Sequence, residues 1–573
     1  MEKIRFFCLQ KFRAFLFAGF FAAFADWFLR IAESVVLGHW IGEDAMAGVS
    51  LLFPLLAIVT FVATTVALGT AIHYSISLGR VEKDRAGAFL AQGLVLALVG
   101  GLLLSGVVGL AERWYLPLMD GSEYVEMYAL QYLRFAAPIA LLECVRVFLV
   151  ALSFSDGASR LCVTSHVVLT VVFFGASIWG VESGLGAGGV SLGVVVSEIA
   201  ATLVLIPRFF RASSSTSLKF SVSFRDFLDI VRSGASRVSI LLFDAAIFFF
   251  LMKLVIGRFG SDDLPVLSVV MVLWGFFSSF GGVGLALQPL VPSYWGEGNT
   301  RAIRVLVRHA IRTALVAGCG LAIVGMLLPD IFIWLTGVEY PELVELSRRA
   351  VRLVCLAAVP LALIHLFSYY FVFIQQAAVT LGLLLANVLF LWLFSVVGSW
   401  IGLDGLWLGL ALAPVAALAS VSTWILAARG RGAYPCLLPR QHEANVFVFN
   451  LTLDEREIVE TSRLVAECVS LRLPPSPETA SVANRASLMV EEGFLLVKER
   501  NSASRRILGE ATLDLTDGVR LTLRDDGRLF DLTDVDQKVS SLRAYLVASV
   551  MGEHPVRVNL VSAGFNRNVF KLA

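Results

Sequence analysis

Twelve apolar stretches, each long enough to cross a lipid bilayer, leave this chain few choices of fold. Spanning takes about 20 apolar residues. Runs of that order recur near residues 14–40, 46–78, 87–111, 128–153, 161–180 and 186–207. A polar stretch from Arg208 to Arg232 follows, and further runs occupy 234–257, 264–293, 305–335, 350–374, 378–398 and 402–428. The pattern predicts an all-α polytopic membrane protein of about 12 transmembrane helices, with two six-helix lobes at 1–220 and 221–430. Only 16% of the residues are charged and 57% are hydrophobic, against about 25% charged in soluble domains, which excludes a single aqueous domain. The formal net charge of +1 gives no sign of a nucleic-acid partner. The cysteines are scattered without a C-x-x-C pair, so neither a metal centre nor a disulfide framework is expected.

Orientation follows from lysine and arginine, which collect in short cytoplasmic loops. Alternate connections are basic: Arg80, Lys83 and Arg85; Arg160; Arg208, Arg211 and Lys219; Arg301, Arg304 and Arg308. The apolar run after Lys3, Arg5, Lys11 and Arg13 continues past signal-peptide length with no small-residue cleavage site, and reads as a retained first helix. An even number of spans then places both termini in the cytoplasm, and the chain in the cell (inner) membrane with the lipid bilayer as its surroundings.

Residues 431–445 form a linker mixing glycine, proline and charge, and hydropathy beyond them falls to that of an ordinary soluble domain. Within 446–573 the sequence predicts a strand at NVFVFNLTL, helices at 453–471 and 478–499, a strand at 519–524 and a strand pair at 556–572. This is a small α+β cytoplasmic domain.

The two halves echo each other. ALGTAIHYSISLGRVEKDRA after the second run and GLALQPLVPSYWGEGNTRA after the eighth align on Gly79 and Gly296, and LGHWIGEDA near Gly42 echoes IGRFGSDD near Gly260. Repeated halves are the architecture of many secondary transporters. Across roughly residues 14–428 the chain resembles the multidrug and toxic compound extrusion (MATE) family, in AESVVLGHWIGEDAMAGVSLLFP, LGRVEKDRA, GLGAGGVSLGVVVSE and, most specifically, GLALQPLVPSYWGEGN. The resemblance implies a V-shaped cavity between two lobes, and export of amphipathic, often cationic small molecules in exchange for protons or sodium ions. Where the family commonly has Asp in the first helix this chain has Glu33, and where many members carry Asn and Asp in the fifth it has His166 and Thr170.

Charged groups inside a bilayer are functional candidates because they are costly there. Asp26, Arg30 and Glu33 fall on one face of the first helix at 100° per residue, a spacing from which Arg30 is expected to reach both carboxylates. Asp244, with Arg237 as the expected partner, is the counterpart in the second lobe, and His166 joins them because the ordinary range of an imidazole lies near neutral pH. These are the ion-coupling candidates. Glu143 is expected to pair with Arg146, while Glu198 and His365 read as lone polar residues. Gln288 and Pro289 mark a hinge beside the cavity, because proline removes a backbone hydrogen bond.

Residues 446–573 resemble the histidine-kinase-like ATPase fold of the anti-sigma-factor serine kinase type, in ASLMVEEGF, LTLRDDGRLFD and AGFNRNVFKL. The resemblance assigns Glu492 as catalytic base and Asp525 with Gly527 to adenine, but Leu496 stands at the magnesium-binding asparagine position and 537–552 has no glycine-rich lid. A degenerate nucleotide-binding or protein-interaction domain is expected rather than an ATPase or kinase, with a cytoplasmic regulatory protein as partner. No Walker A motif is present, which argues against an ATP-driven pump. The leading expectation is an ion-coupled exporter modulated by its cytoplasmic domain, with no cofactor beyond the coupling ion unless the domain takes nucleotide. The alternatives are a lipid-linked precursor flippase, for which Arg30, Arg146 and Lys253 are the available cations, and a non-transporting receptor.

Overall fold

The first helix does not stop until a glycine permits the chain to turn. In the computed structural model α1 spans Phe7–Trp40, and Gly42 then turns the chain at φ 133°. Gly260 does the same at φ 107° after α9, Phe224–Arg258. That backbone region is open to glycine and strained for other residues, so the sequence echo between these loops is an echo of geometry. The structure describes residues 7–118, 123–209, 223–260, 263–336, 338, 340–430, 435–438, 445–501, 506–516, 518–528, 557–562 and 565–572.

Between those turns and beyond them lie α2 (Glu43–Ser50), α3 (Phe53–Gly79), α4 (Lys83–Gly109), α5 (Ala111–Trp114), α6 (Glu123–Ser155), α7 (Ser159–Gly180) and α8 (Ala187–Phe209). The second half, opened by α9, continues with α10 (Leu264–Ser278), α11 (Gly281–Leu285), α12 (Val291–Glu297), α13 (Thr300–Leu327), α14 (Asp330–Thr336), α15 (Pro341–Val354), α16 (Ala358–Phe373), α17 (Ala377–Ser399) and α18 (Leu403–Arg429). Among the described residues 12 helical segments are long and apolar enough to cross a membrane. Side-chain oxygens start two of these membrane-segment helices: Ser223 caps α9 through the amide of Asp226, and Asn299 caps α13 through that of Ala302.

The expected single helix at 264–293 is three pieces, α10, α11 and α12, separated by turns at 279–280 and 286–290. Gly281, Gly282 and Gly284 propagate a helix weakly, and Pro289 and Pro292 each remove a backbone donor. The break is filled by close packing. Gly282 lies against the backbone of Gly19 and Phe20 on α1.

The halves also meet where their repeated motifs end. A Cβ built on Gly79 would fall 2.9 Å from the Gly296 Cα, and one on Gly296 equally close to the Gly79 Cα. Farther along, Gly69 of α3 lies on the backbone of Ile230 of α9, and Gly234 of α9 on that of Thr65 of α3. Missing side chains let α3, α9 and α12 approach to backbone contact.

Beyond the membrane segments, β1 (Val446–Thr452), α19 (Glu455–Arg472), α20 (Pro477–Glu499), β2 (Leu508–Asp514), β3 (Arg520–Asp525), β4 (Arg557–Ser562) and β5 (Phe565–Lys571) form a small α+β unit. Its five-stranded sheet has the order β1-β2-β3-β5-β4, antiparallel throughout. Strand β2 was not expected from the sequence, although it is internal to the sheet. One sheet face buries Ala511, Leu513, Leu521 and Leu523 with Ile458 and Val465 of α19 and Val490 and Phe494 of α20.

Candidate functional site

Within the first half, the Tyr132 hydroxyl of α6 donates a hydrogen bond of 2.6 Å to the Glu33 carboxylate of α1. Tyr132 is buried and Glu33 half-buried, so the bond ties the two helices through a carboxylate with limited access to water. Asp26 and Arg30 sit on α1 within two turns of Glu33, and their side chains lie outside the described residues. His166 is buried on α7 with Nδ1 2.8 Å from the Cys162 carbonyl, and Thr170 donates to the His166 carbonyl. The two residues at the family's Asn and Asp places thus engage their own helix.

Glu198 is not a lone polar residue. Its carboxylate pairs with the Arg146 Nε at 2.7 Å, joining α8 to α6, and both side chains are almost wholly buried. Glu143, one turn before Arg146, is half-buried.

The second half arranges its charges differently. Trp274 Nε1 of α10 donates to Asp244 at 3.4 Å. Arg237, two turns earlier on α9, forms no ion pair with Asp244 and instead lies flat on Tyr369 of α16, its guanidinium carbon 4.0 Å from the ring centroid. Arg237 is 7% exposed and its Nε has no hydrogen-bond partner; His365, a turn before Tyr369, is 6% exposed with Nδ1 likewise unpartnered. Gln288 crosses between the halves: its amide donates to the Ala151 carbonyl and to Ser155 Oγ at the end of α6, both at 3.1 Å. Pro289 lies in the turn between α11 and α12.

The largest cluster that sequence reasoning missed lies where the C-terminal domain meets the helices. Strand pairing places Asn450, Glu510, Arg524 and Arg567 in one cross-strand row on the sheet face opposite α19 and α20. That face is covered by the helix bundle. Arg567 donates to the carbonyls of Leu78 and Gly79 at the end of α3, both at 3.0 Å, and its Nε lies 3.1 Å from Glu297 at the end of α12. Arg524 contacts Glu297 and Glu510 together and lies over the Tyr294 ring. Asn450 accepts from the amide of Phe7, whose ring meets Phe565 edge-on, and Lys11 pairs with Asp526 at 3.4 Å. Burial pushes the Glu510 carboxyl up to about 8 and the guanidinium of Arg567 down to about 9. The one visible signal was Glu297 itself, a carboxylate inside the motif WGEGN.

The residues assigned to nucleotide fit it in part. The Asp525 carboxyl holds Gly527 N and Asn566 Nδ2 on one oxygen, its other oxygen is buried without a partner, and burial raises it to about 7. Leu496, however, is buried in the apolar core with Phe494, where an aliphatic side chain offers magnesium no ligand. Glu492 lies on α20, half-buried. The 537–552 segment lies outside the described residues.

These observations define a multi-pass membrane protein of two related halves, with a soluble domain docked across both. The MatE family model matches residues 20–180 and 241–401, one match in each half, and the chain belongs to that family. The fold is similar to that of MATE in complex with MaL6, at a TM-score of 0.68 and 18% identity over 74% of this chain and 96% of that one. It is also similar to a MOP superfamily transporter from Pyrococcus furiosus described as having a binding pocket of reverse polarity (TM-score 0.67, 18% identity, the same coverage). A multidrug resistance MATE family transporter in an outward-facing conformation matches with a TM-score of 0.66 at 18% identity, again over 74% and 96%.

Proposed function

We propose that this chain is a secondary-active antiporter that exports amphipathic small molecules in exchange for protons or sodium ions, with its C-terminal domain on the cytoplasmic side acting as a brake on the exchange. The observation that carries this reading is the bridge made by Arg567. One guanidinium holds the end of α3 in the first half and the end of α12 in the second. Alternating access requires the halves to separate on each side of the membrane in turn. Separation at the Gly79–Gly296 contact would break this bridge, so the docked domain favours the state closed on its own side. An active ATPase or kinase is not part of the reading, given Leu496.

Glu33 is the coupling residue: a carboxylate that accepts from the Tyr132 hydroxyl in a half-buried site exchanges its proton or sodium ion when the helices around it shift. The test is efflux of a fluorescent dye from proteoliposomes containing the full chain, with proton and sodium gradients imposed separately. Flux driven by one gradient and reduced at least tenfold by Glu33→Gln is expected. Gradient-driven flux untouched by Glu33→Gln would remove Glu33 from the mechanism, and no flux under either gradient would favour the receptor or the flippase.

A further inference from the structure

A guanidinium buried among membrane-spanning helices needs a partner, because an uncompensated charge there costs several kcal/mol. Arg146 has one in Glu198. Arg237 has none at ion-pair distance among the described residues: Asp244, two turns along α9, is engaged by Trp274 and reaches Arg237 only as a charge at longer range, and the Arg237 side chain makes no hydrogen bond. Tyr369 occupies one flat face of the guanidinium, and Tyr369 itself packs on Gly284, where no side chain intervenes. A stacked aromatic satisfies the face of the cation but none of its in-plane donors. The edge of N–H groups is left over.

Location adds to this. Arg237 stands one turn beyond the contact of Gly234 with the α3 backbone, and beside Gly281, next to the contact of Gly282 with α1. It lies about 20 Å into α9 at 1.5 Å per residue, in a surround of packed helices. His365, one turn before Tyr369 on the same helix, adds a second unpartnered polar atom. Two buried polar side chains from α9 and α16, both open to a further partner, converge where the halves of the molecule join.

We infer that Arg237, Tyr369 and His365 form a binding site for an organic anion, in which the guanidinium edge takes a carboxylate, sulfonate or phosphate and the imidazole supplies a second polar contact. The geometry suits such a ligand because an arginine fork matches an oxyanion with two parallel hydrogen bonds, and the stack on Tyr369 holds the fork in plane. A cationic ligand would meet like charge. The inference rests on the transporter reading only in calling this ligand a substrate: the cargo would be an amphipathic acid or zwitterion rather than a simple cation.

The experiment is equilibrium binding to the full chain in phosphatidylcholine–detergent micelles, using 2-naphthoate and the 2-naphthylmethylammonium ion as probes of matched shape and opposite charge. Wild type should bind the carboxylate at least tenfold more tightly, and Arg237→Gln should erase that preference while Arg237→Lys keeps part of it. Equal or reversed preference in wild type would overturn the site without any variant having to fold, as would an Arg237→Gln protein that keeps the preference. Displacement of naphthoate by added phosphatidylglycerol would identify the anion as a lipid headgroup, and indifference to it a soluble acid. Binding without gradient-driven flux would sink the transporter reading and leave the site standing; flux of cations without naphthoate binding would do the reverse.

Discussion

Each half of the molecule buries an arginine, and the two are treated in opposite ways. Arg146 faces Glu198 at 2.7 Å inside the first half. Arg237, as deeply buried in the second, has an aromatic ring on one face and no acceptor. Paired, a charge serves as a structural strut between α6 and α8, and removing its partner leaves an ion in a medium that cannot solvate it. Unpaired, a charge carries a standing cost that a ligand can relieve. The docked sheet is a third case: Arg524 and Arg567 share Glu297 across an interface that has to open if the halves are to move, and Arg524 also pairs with Glu510 within the sheet.

The sharpest way to break this comparison is to remove one carboxylate. Glu198→Gln should cost about 3–5 kcal/mol of stability by stranding Arg146, seen as a large fall in the thermal midpoint in detergent. Arg237→Gln should change stability by no more than about 1 kcal/mol, leaving the midpoint near that of wild type or above it, since no ion pair is lost. Equal losses would mean that both arginines are structural.

Arg567→Gln comes next. Truncating one member of a buried charge pair at an interface costs about 2–5 kcal/mol, here paid in docking rather than in folding of the sheet. Hydrogen exchange should rise in the backbone near Leu78 and Gly79 while β2 and β3 stay protected.

A smaller effect comes from pH. Burial raises Glu510 from 4.5 to about 8, so the docked domain holds a proton that the released domain gives up. Its contribution to docking is fully present below the free value and is lost as pH rises through about 8. Protection of the docked face should therefore weaken between pH 6 and pH 8.5, and Glu510→Gln should flatten that dependence.

The spans were legible in the sequence because bilayer crossing imposes a length and an apolar composition that nothing else in the chain imitates. The break of the eighth helix was half legible: Pro289 marked it, but the glycine contacts with α1 that divide it into three come from residues far apart in sequence. Strand β2 escaped because Gly509 and Glu510 interrupt its apolar alternation, and Glu510 belongs inside a sheet only beside Arg524. The docking face escaped for a related reason. A row of Asn450, Glu510, Arg524 and Arg567 opposite an apolar face reads as the solvated side of a small domain, and only the docked arrangement shows it covered. Arg146 and Glu198, on helices separated by α7, gave no local signal of their pairing.

The most direct measurement is gradient-driven flux through the full chain in proteoliposomes, wild type beside Arg567→Gln at matched protein content. The account predicts coupled flux in wild type and faster flux in the variant, because release of α3 from α12 removes the brake. Absence of gradient-driven flux in both, or flux of the same rate with the domain demonstrably undocked, would contradict it.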